Sequence, residues 1–225
     1  AYAAPSHRPP SHNRSAQGPI RLGSMSKPSS PDRGAIVALI PIKDFRQAKN
    51  RLSERLDATA REALTRQMAE NVVQAAGDLT VYVVCDDEQV AEWAKSLGAN
   101  VFWATKPGLN PAITEAMNGL AEAFDHAIIA HADLPQAVSL DGIATSNTVS
   151  IVPDRHGSGT NVLSLPTKTE FNFQYGEGSL NKHMSEAIAI NLDLKVLQIP
   201  ALQWDVDTPK DLDGLSHFLK PDSLT

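Results

Sequence analysis

Two acidic segments contain the residues of this chain that are best suited to chemistry. In residues 128–135, an apolar run ends at Asp133, which is followed by Leu-Pro. Much later in the chain, Asp205 and Asp207 precede Thr-Pro. Carboxylates that meet at the carboxyl ends of parallel strands could hold Mg²⁺ at the edge where nucleotides bind. These segments are the main reason to expect an enzyme.

The acidic residues also have structural interpretations. Asp207 or Thr208 could cap the last predicted helix, and Asp211 falls inside that helix. Asp133 has no obvious structural duty at the end of its apolar run, so the functional interpretation is stronger there. His131 precedes it by two residues and could border a substrate pocket, although a lone histidine is usually structural.

A cation-rich loop at residues 41–52 follows the first apolar run and carries Lys43, Lys49 and Arg51. On the same edge of a sheet, these cations could balance a triphosphate and a leaving pyrophosphate. A solvated basic loop would have the same composition, and spacing alone gives the two interpretations equal weight. The loop lacks a Walker pattern and a G-x-G-x-x-G pattern, so P-loop and dinucleotide-dehydrogenase functions lose their main support.

Two further loops could bind a ligand or merely shape the chain. In residues 104–113, Asn110 beside Pro111 could bond a base or ribose, but helix capping is the preferred interpretation from sequence. In residues 153–161, two glycines followed by Thr160 could form an anion-binding turn, and an ordinary hairpin turn is the structural alternative.

A fourth loop, residues 173–183, places Gly176 and Ser179 just before a helical pattern. Backbone N–H groups at a helix start can bind an anion, with Ser179 as cap or ligand. A serine that only caps the helix would give the same sequence.

Composition narrows the class of protein. The 225 residues have a net charge of -6 and are 42% hydrophobic, which fits one soluble α/β domain. The acidic balance argues weakly against a nucleic-acid partner, and no apolar run is long enough to cross a membrane. The single cysteine, Cys85, excludes an intramolecular disulfide, suits a cytoplasmic location and is expected to be a buried strand residue.

The amino-terminal residues 1–33 differ from the rest of the chain. They are rich in proline, serine and basic residues, so we expect them to be disordered and the folded domain to span residues 34–225. The Gly-Ser-Met junction at residues 23–25 indicates that residues 1–24 remain from an expression vector. A transit peptide is the alternative, which the prolines make less favourable.

Hydrophobic periodicity alternates between strand and helix from residue 35 onward. It predicts strands at 35–40, 79–84, 100–103, 127–130, 149–152, 161–165 and 195–199, and helices at 59–76, 88–97, 110–124, 181–190 and 210–219. Thr59 is the expected cap of the first helix and Gly77 its end. Strand 161–165 is expected to return antiparallel because its connection is too short for a helical crossover. The pattern predicts a three-layer α/β domain with a mostly parallel sheet.

The chain resembles the 2-phospho-L-lactate guanylyltransferase family, which makes the guanylylated precursor of coenzyme F-420. The resemblance covers about residues 35–217 and rests on six motifs that recur in order, at 42–52, 109–113, 132–135, 153–161, 175–179 and 205–209. It implies a Rossmann-like, GT-A-like nucleotidyltransferase fold. It also implies that a substrate phosphate oxygen attacks the α-phosphorus of GTP and releases pyrophosphate, with Mg²⁺ as cofactor.

The family resemblance also assigns residues to roles. It assigns Asp133, Asp207 and Asp205 to Mg²⁺, Lys43, Lys49 and Arg51 to phosphates, Asn110 and Pro111 to guanosine, and Thr160, Gly176 and Ser179 to a small phosphorylated acid. A downstream deazaflavin transferase would receive the labile product. No protein nucleophile is implied, since the attacking oxygen is already anionic.

The identity of the acid stays open at this point. Members of the family are divided among 2-phospho-L-lactate, phosphoenolpyruvate and 3-phospho-D-glycerate. Where the family often has a small or apolar residue, this chain has His131, which could bond the free hydroxyl of the glycerate. Two alternatives remain, a molybdopterin-type or sugar-phosphate nucleotidyltransferase and a non-catalytic α/β binding protein. The former usually carries a Gly-Gly-rich first loop, which residues 40–52 lack.

Overall fold

A seven-stranded sheet organises the computed structural model of the chain, which describes residues 35–215. Its strands are β1 (Ile36–Pro41), β2 (Thr80–Cys85), β3 (Asn100–Trp103), β4 (His126–Ala130), β5 (Thr148–Pro153), β6 (Thr160–Pro166) and β7 (Asp193–Val196). They lie in the order β3-β2-β1-β4-β6-β5-β7. Strand β6 runs antiparallel to both of its neighbours, and the other pairs are parallel. The predicted mostly parallel sheet and antiparallel return are confirmed.

Helices cover both faces of this sheet. They are α1 (Ala58–Ala75), α2 (Glu88–Ser96), α3 (Leu109–Leu120), α4 (Ser179–Ala189) and the short α5 (Pro200–Gln203), with 3₁₀ helices at Phe45–Gln47, Asn50–Glu54 and Asp211–Leu215. Alternate residues of β1 point to opposite faces, since Ala38 packs with α1 and α2 whereas Leu39 packs with α3 and α4. The expected single three-layer α/β architecture is confirmed for the described residues.

The start of α1 corrects one prediction. Asp57, not Thr59, caps the helix, because its carboxylate accepts a hydrogen bond from the backbone N–H of Ala60 at 2.8 Å. Thr59 lies one residue inside the helix. At the other end, Gly77 adopts a φ of 59°, which ends the helix as predicted.

The carboxyl-terminal helix predicted at 210–219 is also different in the structure. A 3₁₀ helix spans Asp211–Leu215, and residues 216–219 lie outside the described residues, as do residues 1–33. Neither Asp207 nor Thr208 acts as the expected cap. Instead, the Asp211 carboxylate accepts hydrogen bonds from the backbone N–H groups of both residues, at 2.8 and 2.6 Å.

Strand direction decides which residues reach the carboxyl edge of the sheet. The parallel strands β1, β2 and β4 deliver their last residues there. Because β6 is antiparallel to β4, it delivers its first residue, Thr160, to the same edge. The residues of the predicted site therefore come from neighbouring strand ends at one edge of the sheet. Across residues 35–215, no helix is long and apolar enough to cross a membrane.

Candidate functional site

Two adjoining cavities form one cleft at the carboxyl edge of the sheet. A smaller cavity of about 230 Å³ has mostly apolar walls, and a larger one of about 860 Å³ has mostly polar walls. The residues that line both are Lys43, Ala48, Lys49, Asp86, Gly108 and Asp133. An apolar slot that opens beside a charged chamber is suited to a base and its attached phosphates. Cys85 lies in the slot wall as the buried last residue of β2, as expected from sequence.

Lys49 lies in the wall of the larger, polar cavity and joins its acidic residues. Its ammonium donates hydrogen bonds to Asp133 Oδ2 at 2.5 Å and to Asp207 Oδ1 at 2.8 Å. The backbone brings the two acidic segments together, since the Val206 N–H donates to the Asp133 carbonyl oxygen at 3.3 Å. The two carboxylates predicted from separate loops therefore meet at one point, and the lysine predicted to bind phosphate joins them.

The ionisation of this group follows from burial and charge. Burial opposes the charged form of Asp133, but the Lys49 ammonium outweighs it and holds the pKa of Asp133 below its usual value. Burial likewise opposes the charge on Lys49, whereas the two carboxylates raise its pKa overall. Burial raises the pKa of Asp205, and the charges of Asp133 and Asp207 raise it further. The three carboxylates form an acidic pocket, in which Lys49 pairs directly with Asp133 and Asp207.

This acidic pocket could accept a divalent cation that brings its other ligands. The second carboxylate oxygen of Asp133, Oδ1, is buried without a hydrogen-bond partner. Within residues 35–215, no three His, Cys, Asp or Glu side chains are arranged to enclose a metal ion by themselves. Mg²⁺ is commonly held by one or two carboxylates, with waters and substrate phosphates as the remaining ligands. The donor set fits that mode of binding.

A clamp of two residues, which sequence reasoning missed, holds the turn that carries Asp207. Arg155 donates to Asp211 Oδ1 and to the carbonyl oxygen of Asp205 at 3.1 Å, and its guanidinium lies 4.3 Å from the ring centroid of Trp204. Asp211 uses its other oxygen to hold the backbone of the turn. The sequence placed Arg155 in a motif and Asp211 in a helix, but nothing in their spacing indicates that they pair.

Asn110, the second residue of α3, connects this helix to the fourth loop instead of capping it. The N-cap position is Gly108, so the capping interpretation of Asn110 is wrong, whereas Pro111 does lie in the first turn. The Asn110 amide accepts from the Tyr175 N–H at 2.8 Å and donates to the Tyr175 carbonyl oxygen at 3.3 Å. On either side of Asn110 and Pro111, Leu109 and Ala112 line the apolar slot. The assignment of Asn110 and Pro111 to guanosine stays a prediction.

The third loop is a hairpin turn between β5 and β6, as its structural interpretation predicted. Asp154 closes the turn by accepting from the Ser158 N–H at 2.8 Å and from the Ser158 hydroxyl at 3.1 Å. An added Cβ at Gly159 would lie 2.9 Å from Asp154 Oδ2, so a side chain at this position would have to displace the carboxylate that closes the turn. The turn is thus shaped by its own side chains, and Thr160 follows it as a buried residue.

The fourth loop ends at Gly178, which occupies the N-cap position of α4 with a φ of 68°. Ser179 is therefore not the cap, because it is the first residue of the helix and is buried. The Leu180 N–H donates to the Ser158 carbonyl oxygen at 3.1 Å, which joins the fourth loop to the third. Gly176 precedes this junction with a φ of 118°.

A row of ring side chains links these loops to the cleft. His131 lines the apolar slot, as its position had suggested, and its ring centroid lies 5.2 Å from that of Tyr175. Tyr175 in turn packs edge-on against His183 at 4.7 Å. His131 Nε2 and the Tyr175 hydroxyl are buried without a hydrogen-bond partner. Leaving such atoms unpaired costs about 1–3 kcal/mol each, so they are candidates for contact with a polar ligand.

The predicted site residues therefore fall into two sets. The first set lines the cleft and consists of Lys43, Lys49, Arg51, Asp133, Asp207 and His131. The second set is attached to the cleft through Tyr175 and His131 and consists of Asn110, Thr160, Gly176 and Ser179. Asp205 lies in the acidic turn between Trp204 and Asp207, half-buried and near Asp133.

Comparison with solved structures identifies the class of fold. A nucleotidyl transferase from Methanothermobacter thermautotrophicus superimposes with a TM-score of 0.58 at 16% identity, covering 82% of this chain and 97% of that one. The 4-diphosphocytidyl-2C-methyl-D-erythritol synthase from Anaerococcus prevotii gives a TM-score of 0.55 at 10% identity, covering 82% and 97%. The sheet, with its cleft at the carboxyl edge, is the fold of the nucleotidyltransferases.

Sequence comparison gives the family within that class. A family model described as "Guanylyl transferase CofC like" matches residues 36–218. A phosphoenolpyruvate guanylyltransferase from Rubrobacter xylanophilus is 34% identical over 191 residues, covering 80% of this chain and 93% of that protein. A 2-phospho-L-lactate guanylyltransferase from Methanosphaera stadtmanae is 31% identical over 186 residues, covering 79% and 82%. This chain belongs to the CofC-like guanylyltransferase family, so the resemblance inferred from its motifs is confirmed.

Proposed function

We propose that this enzyme transfers GMP from GTP to a small phosphorylated C3 acid and releases pyrophosphate, as a step of coenzyme F-420 biosynthesis. The observation that carries this proposal is the meeting of Lys49, Asp133 and Asp207 at the mouth of an apolar slot. The relatives from Rubrobacter xylanophilus and Methanosphaera stadtmanae, named for phosphoenolpyruvate and 2-phospho-L-lactate, support this class of acceptor.

In this proposal, Asp133 and Asp207 hold Mg²⁺, and Asp205 supplies further negative charge beside them. The unpaired Asp133 Oδ1 and the raised pKa of Asp205 support a second positive charge in addition to Lys49. When bound, Mg²⁺ would neutralise part of the charge on the GTP phosphates.

The chain's own residues position and neutralise the reacting groups. The apolar slot receives the guanine ring, with Asn110 and Pro111 at its rim, and Lys43, Lys49 and Arg51 hold the phosphates in the larger cavity. Lys49 donates to two carboxylates and exchanges part of this hydrogen bonding for phosphate oxygens when the nucleotide enters.

Bond making and breaking need no protein nucleophile. An ionised phosphate oxygen of the acid attacks the α-phosphorus of GTP, and a new phosphorus–oxygen bond forms. The bond from the α-phosphorus to its bridging oxygen breaks, and pyrophosphate leaves with the bonding electrons. The enzyme contributes in-line positioning and fixed positive charge at the leaving group.

The acid is assigned to Thr160, Gly176 and Ser179 of the second set, together with His131 of the first set. His131 Nε2 and the Tyr175 hydroxyl support a polar ligand between this set and the cleft, because both atoms are buried and unpaired. The three candidate acids remain 2-phospho-L-lactate, phosphoenolpyruvate and 3-phospho-D-glycerate. A hydrogen bond from His131 to a free hydroxyl would favour the glycerate.

The product of this reaction is a labile diphosphate, so we propose that a downstream deazaflavin transferase takes it up in the cytoplasm. The test is a pyrophosphate-release assay with GTP, Mg²⁺ and each of the three acids separately. The downstream transferase and its deazaflavin acceptor are present to consume the product. We expect pyrophosphate release that depends on one of the acids. Folded enzyme that releases none with any of the three would contradict the proposal and favour another phosphorylated acceptor or a binding role.

A further inference from the structure

We propose that His183 is a positioning residue that orients the Thr160 hydroxyl and the backbone at Gln174 for binding of the phosphorylated acid. This role rests on the function proposed above, because Thr160 and Gly176 are assigned there to the acid. His183 itself would touch no substrate, since it is fully buried on α4.

His183 lies where the third and fourth loops meet. Its Nδ1 is 3.0 Å from the Thr160 hydroxyl, at the start of β6, and its Nε2 is 3.0 Å from the Gln174 N–H, in the loop before α4. The rings of Phe171 and Tyr175 pack against it, with centroids at 5.7 and 4.7 Å. One side chain thus fixes both segments that carry the residues proposed to hold the acid.

The hydrogen bonds of His183 determine its tautomer. A backbone N–H can only donate, so Nε2 must accept from Gln174 and carries no proton. Burial lowers the pKa of His183 to about 4, and the ring is therefore neutral at physiological pH. Its one N–H proton is then on Nδ1 and is donated to the Thr160 oxygen.

This tautomer fixes the direction of the Thr160 hydroxyl. Since its oxygen accepts from His183, its own proton points away from the ring and can donate to another oxygen. A hydroxyl that is already oriented as a donor suits the ionised phosphate or carboxylate of the acid. The bond to Gln174 also fixes the residue before Tyr175, whose backbone is held on the other side by Asn110.

Two substitutions separate the two bonds of His183. His183→Gln places an amide oxygen near the position of Nε2, so it keeps an acceptor for Gln174 and removes the donor to Thr160. His183→Asn places its amide near Nδ1, so it keeps a donor to Thr160 and removes the acceptor. We expect His183→Gln to raise the KM for the acid by at least about tenfold, with the KM for GTP within about twofold of wild type. His183→Asn should raise the acid KM less.

His126 provides a matched control. It is another buried histidine, whose Nε2 lies 2.9 Å from the Ser164 hydroxyl, and burial also lowers its pKa to about 4. It begins β4 and therefore lies at the opposite edge of the sheet from the cleft. We expect His126→Gln to lower the melting temperature while leaving the acid KM unchanged, which separates positioning from loss of stability.

Thr160→Val tests the same contact if His183→Gln lowers the yield of folded protein. It removes the hydroxyl with little change of shape, and it should raise the acid KM as His183→Gln does. The double variant should be no worse than Thr160→Val alone, because His183 acts through that hydroxyl.

Two outcomes would overturn the inference. An acid KM at the wild-type value in His183→Gln or in Thr160→Val would show that the contact does not serve the acid. Equal losses for the acid and for GTP, matched by His126→Gln, would show a purely structural role. Wild-type enzyme without acid-dependent pyrophosphate release would instead refute the proposed function, on which this role depends.

Discussion

The two halves of the site stabilise their polar groups in opposite ways. One half, the charged side, holds Lys49 and Asp133, and Asp207 joins them with 51% of its side chain exposed. The other half, the neutral side, lies at the start of the antiparallel strand β6 and holds His183 and Thr160, which are uncharged and almost completely buried. Both groups lie at the carboxyl edge of one sheet, but only the first opens directly into the cleft.

This difference fits the different substrates proposed for the two sides. Lys49 is mostly buried but borders the open cleft, so phosphate oxygens can replace a carboxylate as its partner without leaving its charge unpaired. In a buried neutral network, every polar group that loses its hydrogen bond costs free energy, so the network keeps one arrangement. We infer that the nucleotide side adapts when the triphosphate arrives, whereas the acid side is preorganised.

The largest effect should come from the charged side. Asp133→Asn removes one charge from the centre of the acidic pocket, and we expect kcat/KM to fall by at least about 10³-fold. The protein should still fold with a moderately lower melting temperature, because Lys49 loses one carboxylate partner but keeps Asp207. Asp193→Asn, on the exposed edge strand β7, is the control and should behave as wild type. Unchanged turnover in Asp133→Asn would remove the metal assignment.

Replacement of Lys49 tests whether the carboxylates need a cation. In Lys49→Met, Asp133 and Asp207 lose their shared partner, and kcat/KM should fall by about 10²-fold. Mutual repulsion should lower the melting temperature without Mg²⁺, and added Mg²⁺ should restore more of it than in wild type. Lys168→Met, which removes an exposed ion pair with Glu122, is the control. Equal stabilisation of Lys49→Met and wild type by Mg²⁺ would contradict this expectation.

The buried neutral histidines, His183 on the neutral side and His126 at the opposite edge of the sheet, should differ from the charged side in their response to acid. The pKa of His126 is about 4 in the folded protein and about 6.5 when unfolded. Below about pH 6.5, His126 binds a proton in the unfolded chain but not in the folded chain. The contribution of neutral His126 to stability is therefore complete above that pH and is lost as the pH falls towards 4. His126→Gln should therefore flatten the pH dependence of the free energy of unfolding by about 2–3 kcal/mol.

Urea unfolding between neutral pH and pH 4 measures this slope. Asp133 contributes to stability for the opposite reason, because the folded protein favours its charged form. Its lowered pKa preserves this contribution until the pH falls below the ordinary carboxyl range. The histidines should therefore titrate before the charged side does. The same slope in His126→Gln and wild type would show that burial does not keep this ring neutral.

The smallest effect should come from the clamp on the Asp207 turn. Asp211→Asn weakens the ion pair with Arg155 but keeps a side chain of the same shape, so we expect about a tenfold loss in kcat/KM. The half-saturating Mg²⁺ concentration should also rise, because Asp207 would be held less firmly. Asp213→Asn breaks a neighbouring ion pair with Arg55 and is the matched control. An unchanged Mg²⁺ requirement in Asp211→Asn would mean that the clamp serves stability alone.

Local patterns in the sequence were enough to predict most of the architecture. Apolar runs, helix-ending glycines and the short connection before β6 determine the order of the elements and the direction of that strand. They also place Asp133 at a strand end. The cap of α1 was misplaced by two residues because Asp57 and Thr59 are both good capping residues, and only the backbone geometry decides between them.

Contacts between distant residues could not be predicted from these patterns. Asn110 bonds to the backbone of Tyr175, and Arg155 pairs with Asp211, through side chains whose partners lie far along the chain. The joining of Asp133 and Asp207 by Lys49 likewise depends on how three loops fold against one another. Such pairings leave no spacing signal in a single sequence, since they arise only when the sheet is assembled.

Phosphorus NMR of the reaction provides the most direct test of guanylyl transfer. Wild-type enzyme is mixed with GTP, Mg²⁺ and each acid in turn, and the fate of the three GTP phosphates is followed. We expect signals of free pyrophosphate together with a pair of coupled signals from a new diphosphate bridge between GMP and the acid, and neither in Asp133→Asn. Unchanged GTP with all three acids, or hydrolysis to GDP and phosphate, would contradict guanylyl transfer at this cleft.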